Sequence, residues 1–121
     1  MSGRLPKGPT SEKEWQSTVL DLATLGGWRS YHTFDSRRSA PGFPDLTLVR
    51  PPELVFAELK AEKGRTTPEQ EAWLEDLGVV SQCIMLDAGG WRIGDEIPVQ
   101  VFVWRPSDFD EVRRILLERR S

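Results

Sequence analysis

One cysteine, Cys83, and one histidine, His32, are all that the 121 residues hold of the side chains that bind most protein zinc. A closed nitrogen- and sulfur-ligand site cannot be assembled from them within one chain, nor can an internal disulfide, and a lone thiol fits a reducing cytosol. Long hydrophobic runs are missing too. The uncharged stretch from Gly78 to Leu86 is far short of the roughly 18 residues of a membrane span, and the opening MSGRLPKGPT has no apolar core of the signal-peptide kind. The expectation is a cytoplasmic protein, in the host cell if the source is viral, with no membrane partner. A basic excess is also lacking, since the formal net charge is −3. Along the chain, however, residues 27–67 carry seven basic against five acidic side chains, and residues 68–104 one against seven. Arg29, Arg37, Arg38, Arg50, Lys60, Lys63 and Arg65 make the first of these stretches locally positive, which suits phosphate contact and suits an ordinary mixed surface equally. There is no Gly-rich phosphate loop, internal repeat or heptad run, so no nucleotide cofactor is expected.

What is present is concentrated in Gly42 to Lys60, GFPDLTLVRPPELVFAELK. Leu46–Val49 and Leu54–Leu59 have the apolar, β-branched make-up of buried strands, and Pro51-Pro52 marks the turn between them. Antiparallel pairing about that turn opposes residues whose numbers sum to 103, provided no bulge intervenes, and so sets Asp45 against Glu58. Directly opposed residues share a face with Cβ atoms about 5 Å apart, and Lys60 follows on that face two residues later. Two facing carboxylates in an apolar hairpin repel unless something positive joins them. A surface ion pair with Lys60 would answer, and so would an oxygen-ligand divalent cation such as Mg²⁺ or Mn²⁺.

Pro44-Asp45, followed thirteen residues on by Glu58-Leu59-Lys60, resembles the Pro-Asp…(Asp/Glu)-x-Lys nuclease superfamily. Gly42-Phe43-Pro44-Asp45-Leu46, Phe56-Ala57-Glu58-Leu59-Lys60 and Gln70 look most like its VRR-NUC family, the virus-type replication and repair nucleases, over roughly Glu14 to Leu77. The resemblance implies a restriction-endonuclease-like α/β core, a mixed central sheet flanked by helices. It implies an endonuclease leaving 5′-phosphate and 3′-hydroxyl ends, selective for branched DNA such as junctions and flaps, in replication, recombination or repair, and working as a homodimer. Asp45, Glu58 and the Leu59 carbonyl would hold Mg²⁺, with Mn²⁺ able to substitute; Lys60 would position the attacking water, Gln70 would approach the site, and Glu14 stands where the superfamily places a further metal-site carboxylate. A less selective or restriction-type nuclease, or a non-catalytic DNA-binding module, are the alternatives.

The rest of the chain reads as a single domain over 11–121 behind a flexible arm, 1–10, in the order α-β-β-β-α-β-β-α. Ser11 opens a helix with Trp15, Val19, Leu22 and Ala23 at helical spacing, and Ser11-x-x-Glu14 is equally a capping box. Trp28–Phe34 reads as a strand, with His32 more simply a strand residue than a general base. Residues 35–41 form a basic loop whose Arg37 and Arg38, with Lys63 and Arg65, are candidates for DNA backbone contact. Thr67-Pro68 start a second helix in which Gln70, Trp73, Leu74 and Leu77 share a face, and Thr67-x-x-Gln70 is a second possible capping box. Gly78 is expected to end it, Val79–Leu86 to form a strand around a buried Cys83, Ala88-Gly89-Gly90 to turn the chain, and Trp91–Ile97 to be irregular. Val99–Trp104 reads as a last strand and Pro106-Ser107-Asp108 as the start of a closing helix with Arg113, Arg114, Arg119 and Arg120 on its outer face.

Overall fold

The computed structural model describes residues 10–34, 40–83 and 99–118; the N-terminal arm, Arg37 and Arg38, the stretch from Ile84 to Pro98 and Arg119 and Arg120 lie outside them. Helix α1 (Glu12–Leu25) starts at Ser11, where both bonds of the capping box form, and stops at Gly26. Three strands follow as an antiparallel meander, β1 (Arg29–His32), β2 (Leu46–Arg50) and β3 (Glu53–Leu59), with Pro51 and Pro52 as the two-residue link between the last two. Leu46 opposes Ala57 and Arg50 opposes Glu53, so the register that opposes residues summing to 103 holds along the whole ladder. The chain then forms α2 (Pro68–Cys83) before β4 (Val99–Trp104) returns parallel to β3, giving a four-stranded mixed sheet in the order β1-β2-β3-β4. A single 3₁₀ turn, Pro106–Asp108, leads into α3 (Phe109–Leu117).

Alternation along the strands sorts the two faces. Leu46, Leu48, Val55, Ala57, Leu59 and Trp104 are buried with Trp15, Val19 and Leu22 of α1 and Val112 and Leu116 of α3, forming the core on one face. Burial of this apolar surface is the main stabilising contribution. On the other face α2 lies against β4, and Phe43 meets Phe56 and Trp73 edge-on, with ring centroids 5.9 and 5.0 Å apart. The mixed sheet with helices on both sides is the α/β, restriction-endonuclease-like arrangement.

Two sequence expectations are corrected here. The strand expected over Val79–Leu86 does not form in its described part, because α2 runs through Gly78 to Cys83. Glycine weakens a helix interior by only about 1 kcal/mol, which the half-buried face of Trp73, Leu74 and Leu77 outweighs. Val79 and Val80 point outward and are exposed. Arg50, counted with the cations available to phosphate, is instead a buried structural hub. It is 4% exposed, pairs with Glu53 at 2.9 Å, donates to the carbonyls of Gly26, Leu116 and Glu118, and lies 4.4 Å from the Trp28 ring centroid. It thus satisfies the carbonyls left over at the ends of α1 and α3. No helix among the described residues is long and apolar enough to cross a membrane.

Candidate active site

The carboxylates are brought together by the hairpin ladder, which ends at Leu46 and Ala57 and leaves Asp45 and Glu58 as the next opposed pair. Asp45 is fixed there by two bonds of its own and one at Pro44. Its Oδ2 accepts from the Leu59 amide at 2.8 Å, its carbonyl accepts from the Thr33 amide at 2.8 Å, and the Thr33 hydroxyl donates to the Pro44 carbonyl at 2.7 Å. Thr33, just past the end of β1, is therefore a positioning residue for the Pro44-Asp45 corner. Sequence reading missed it, because a threonine after a strand carries no signal of what lies opposite.

Glu58 is 1% exposed, and its Oε1 is buried with no hydrogen-bond partner among the described residues. Its Oε2 lies 3.6 Å from the Lys60 ammonium, which is itself only 8% exposed. Burial, and next the negative charge of Asp45, push the Glu58 carboxyl up to about 8, with Lys60 pulling the other way. An orphaned carboxylate oxygen in the interior is costly and calls for a partner. Lys60 is held from behind: its amide donates to the Trp104 carbonyl at 3.0 Å, and the Trp15 indole donates to that same carbonyl at 2.9 Å. Helix α1, β4 and the end of β3 thereby meet at one point.

A cavity of about 510 Å³ opens beside Asp45, and neither Glu58 nor Lys60 reaches its wall. Asp45 reaches its wall together with Glu12 and Gln16 of α1, His32 and Phe34, and Thr67, Glu69 and Gln70 at the start of α2. Gly42 lets the wall close. Its φ is +91°, and a Cβ there would lie 2.5–2.7 Å from the backbone of Glu69 and Gln70, so only glycine permits the loop to touch the start of α2.

Other sequence candidates are placed as follows. Gln70 both lines the cavity and completes the capping box, its Oε1 accepting from the Thr67 amide at 2.8 Å and its amide donating to Thr67 Oγ1 at 3.1 Å; the side-chain NH₂ is the end not used in the box. Glu14 spends its carboxylate on the Ser11 amide at 3.0 Å, and that hydrogen bond lowers its pKa. Glu12, two residues earlier, is the α1 carboxylate on the cavity wall. Helical phase could have separated the two, but the capping-box motif draws attention to Glu14. Lys63 and Arg65 are exposed on the loop between β3 and α2, which Arg105 pins by donating to the Gly64 carbonyl at 2.7 Å.

This arrangement meets an independent comparison. The description "VRR-NUC domain" matches residues 5–80, more than half of the chain. The chain belongs to the VRR-NUC family. No curated protein and no solved structure matches it significantly. A VRR-NUC domain is a nuclease-family domain, and a nuclease domain binds DNA. The VRR-NUC match includes Asp45, Glu58, Lys60 and Gln70 but ends before β4 and α3, which supply Trp104, Val112 and Leu116 to the core and the carbonyl behind Lys60.

Proposed function

We propose that the protein is a Mg²⁺-dependent endonuclease that hydrolyses phosphodiester bonds of DNA, selective for branched forms and acting inside the cell in replication, recombination or repair. The observation that carries the reading is the orphaned Glu58 Oε1, buried beside Asp45 in a VRR-NUC chain. The residues fit a hard divalent cation. Asp45 engages one carboxylate oxygen with the Leu59 amide, Glu58 has a buried oxygen without a hydrogen-bond partner among the described residues, and the Leu59 carbonyl follows Glu58 directly in sequence. Both side chains offer oxygen alone, which suits a hard ion that keeps several of its own waters better than a closed zinc site.

When bound, Mg²⁺ would supply charge stabilisation for the phosphate oxygens and a water of lowered pKa. Asp45 and Glu58 would hold that ion. Lys60, kept in place through Trp104 and Trp15, orients the attacking water and offsets the charge that gathers on the phosphate during attack. Gln70 directs its NH₂ end toward a water or a phosphate oxygen. Glu12 rather than Glu14 takes the place of the α1 carboxylate, since Glu14 is committed to the helix cap. Lys63 and Arg65 on the loop after β3, with Arg37 and Arg38, contact the DNA backbone. Two subunits would place two such sites on two strands.

Exchange of the metal tests the reading. With Mg²⁺ or Mn²⁺ the protein should nick supercoiled plasmid; with Ca²⁺, which accepts loose geometry at about 2.3–2.6 Å, it should bind DNA without cutting. In EDTA the unscreened Asp45 carboxylate, with Glu12 and Glu69 on the cavity wall, should repel DNA and weaken binding relative to Ca²⁺ at equal ionic strength. Equal affinity in EDTA and Ca²⁺, with no nicking in Mg²⁺, Mn²⁺ or Co²⁺, would leave a DNA-binding module instead.

A further inference from the structure

The cavity beside Asp45 carries three carboxylates on its wall, Glu12, Asp45 and Glu69, and among the described lining residues no lysine or arginine. Among the described residues, then, the wall itself offers a DNA phosphate no side-chain cation. What the wall does offer is Phe34. Its ring is 71% exposed, an unusual state for phenylalanine on a concave wall, and it belongs to no core cluster. Phe43, on the same wall, is by contrast packed against Phe56 and Trp73. Phe34 stands two residues beyond His32, on the same side of the extended chain. The His32 ring, also on the wall, meets it at a centroid distance of 5.7 Å and an angle of 49°, and among the described residues no other ring contact involves Phe34.

We propose that Phe34, backed by His32, is a stacking platform for a nucleobase, and that it selects DNA whose bases near the cleaved phosphate are already unstacked: single strands, flaps and splayed junction arms. This inference rests on the nuclease reading of the cavity and adds the substrate feature that the cavity recognises. In continuous duplex both faces of a base are covered by its neighbours, so an aromatic side chain can stack only where one neighbour has been removed. Stacking of this kind tolerates any base, because every base has a π-face. Selection is then by DNA form rather than by sequence.

The test separates base from phosphate. Fluorescence anisotropy in Ca²⁺, without turnover, compares an oligothymidylate with an abasic oligomer of the same length and phosphate count. The wild-type protein should prefer the oligothymidylate by roughly 5- to 150-fold, the range that one stacked base contributes. Phe34→Ala should remove that preference and Phe34→Tyr should keep it, while an unchanged melting curve shows that the exposed position leaves the fold intact. Equal affinity of the wild-type protein for the two oligomers, or a preference retained in Phe34→Ala, overturns the inference. Because no cleavage is read, the two proposals fail separately. A Phe34-dependent preference in a protein that never nicks DNA supports the platform and sinks the nuclease; nicking in Mg²⁺ with no preference does the reverse.

Discussion

Glu58 is the residue on which the charge balance of the site turns. In the metal-free protein its carboxyl is raised from 4.5 to about 8 by burial and then by Asp45, so between those values the native state holds more protons than the unfolded chain. The sign follows: the contribution of Glu58 to stability is fully present below pH 4.5 and is lost as the pH rises through about 8. Melting curves in EDTA across that window should show the wild-type protein losing roughly 5 °C or more relative to Glu58→Gln, which has no proton to lose. Added Mg²⁺ should restore the wild-type midpoint at the alkaline end, because a ligand of the native state stabilises it. Parallel pH profiles for wild type and Glu58→Gln would mean that Glu58 is not confined as described. Asp45, Glu58 and Lys60 were legible as a group because charged side chains in an apolar hairpin must be answered. Thr33 and Glu12 were not, since each acts through a neighbour distant in sequence.

The elements meet at glycines, and two of them predict opposite outcomes. Gly42→Ala places a Cβ at φ +91° and within 2.7 Å of the α2 backbone, so it should cost about 2 kcal/mol or more and displace the Asp45 corner, lowering cleavage as well. Gly78→Ala places its Cβ in open space within a continuous helix and should raise stability by about 0.5–1 kcal/mol. Denaturant titration of both variants checks the pair; a stabilised Gly42→Ala would contradict the close approach of loop and helix. The contrast also explains what the sequence made readable at this scale. Pro51-Pro52 and the alternating strands set the β2–β3 register correctly, because a one-residue slip would turn Leu46, Leu48, Val55 and Ala57 out of the core. Gly78 followed by Val79 and Val80 reads locally as a helix stop and a strand, yet packing of Trp73, Leu74 and Leu77 carries the helix onward. Likewise Arg50 looks like a surface cation until α1 and α3 bring their terminal carbonyls to it, a consequence of tertiary structure alone.

At the scale of the whole molecule, a chain of 121 residues is small against a branched DNA, and the proposed pair of sites requires two copies. Light scattering during junction cleavage should find a dimer; full activity from a protein that stays monomeric at working concentration would exclude the paired arrangement. On the proposed reading Asp45, Glu58 and Lys60 form a hydrolytic centre rather than a buried ion-pair network. Nicking of supercoiled plasmid in Mg²⁺ by the wild-type protein and by Lys60→Ala, both shown to melt alike, tests that claim most directly. Loss of at least about 100-fold in nicking rate by Lys60→Ala, at undiminished metal binding, is the predicted result; a folded Lys60→Ala that nicks at the wild-type rate would contradict it.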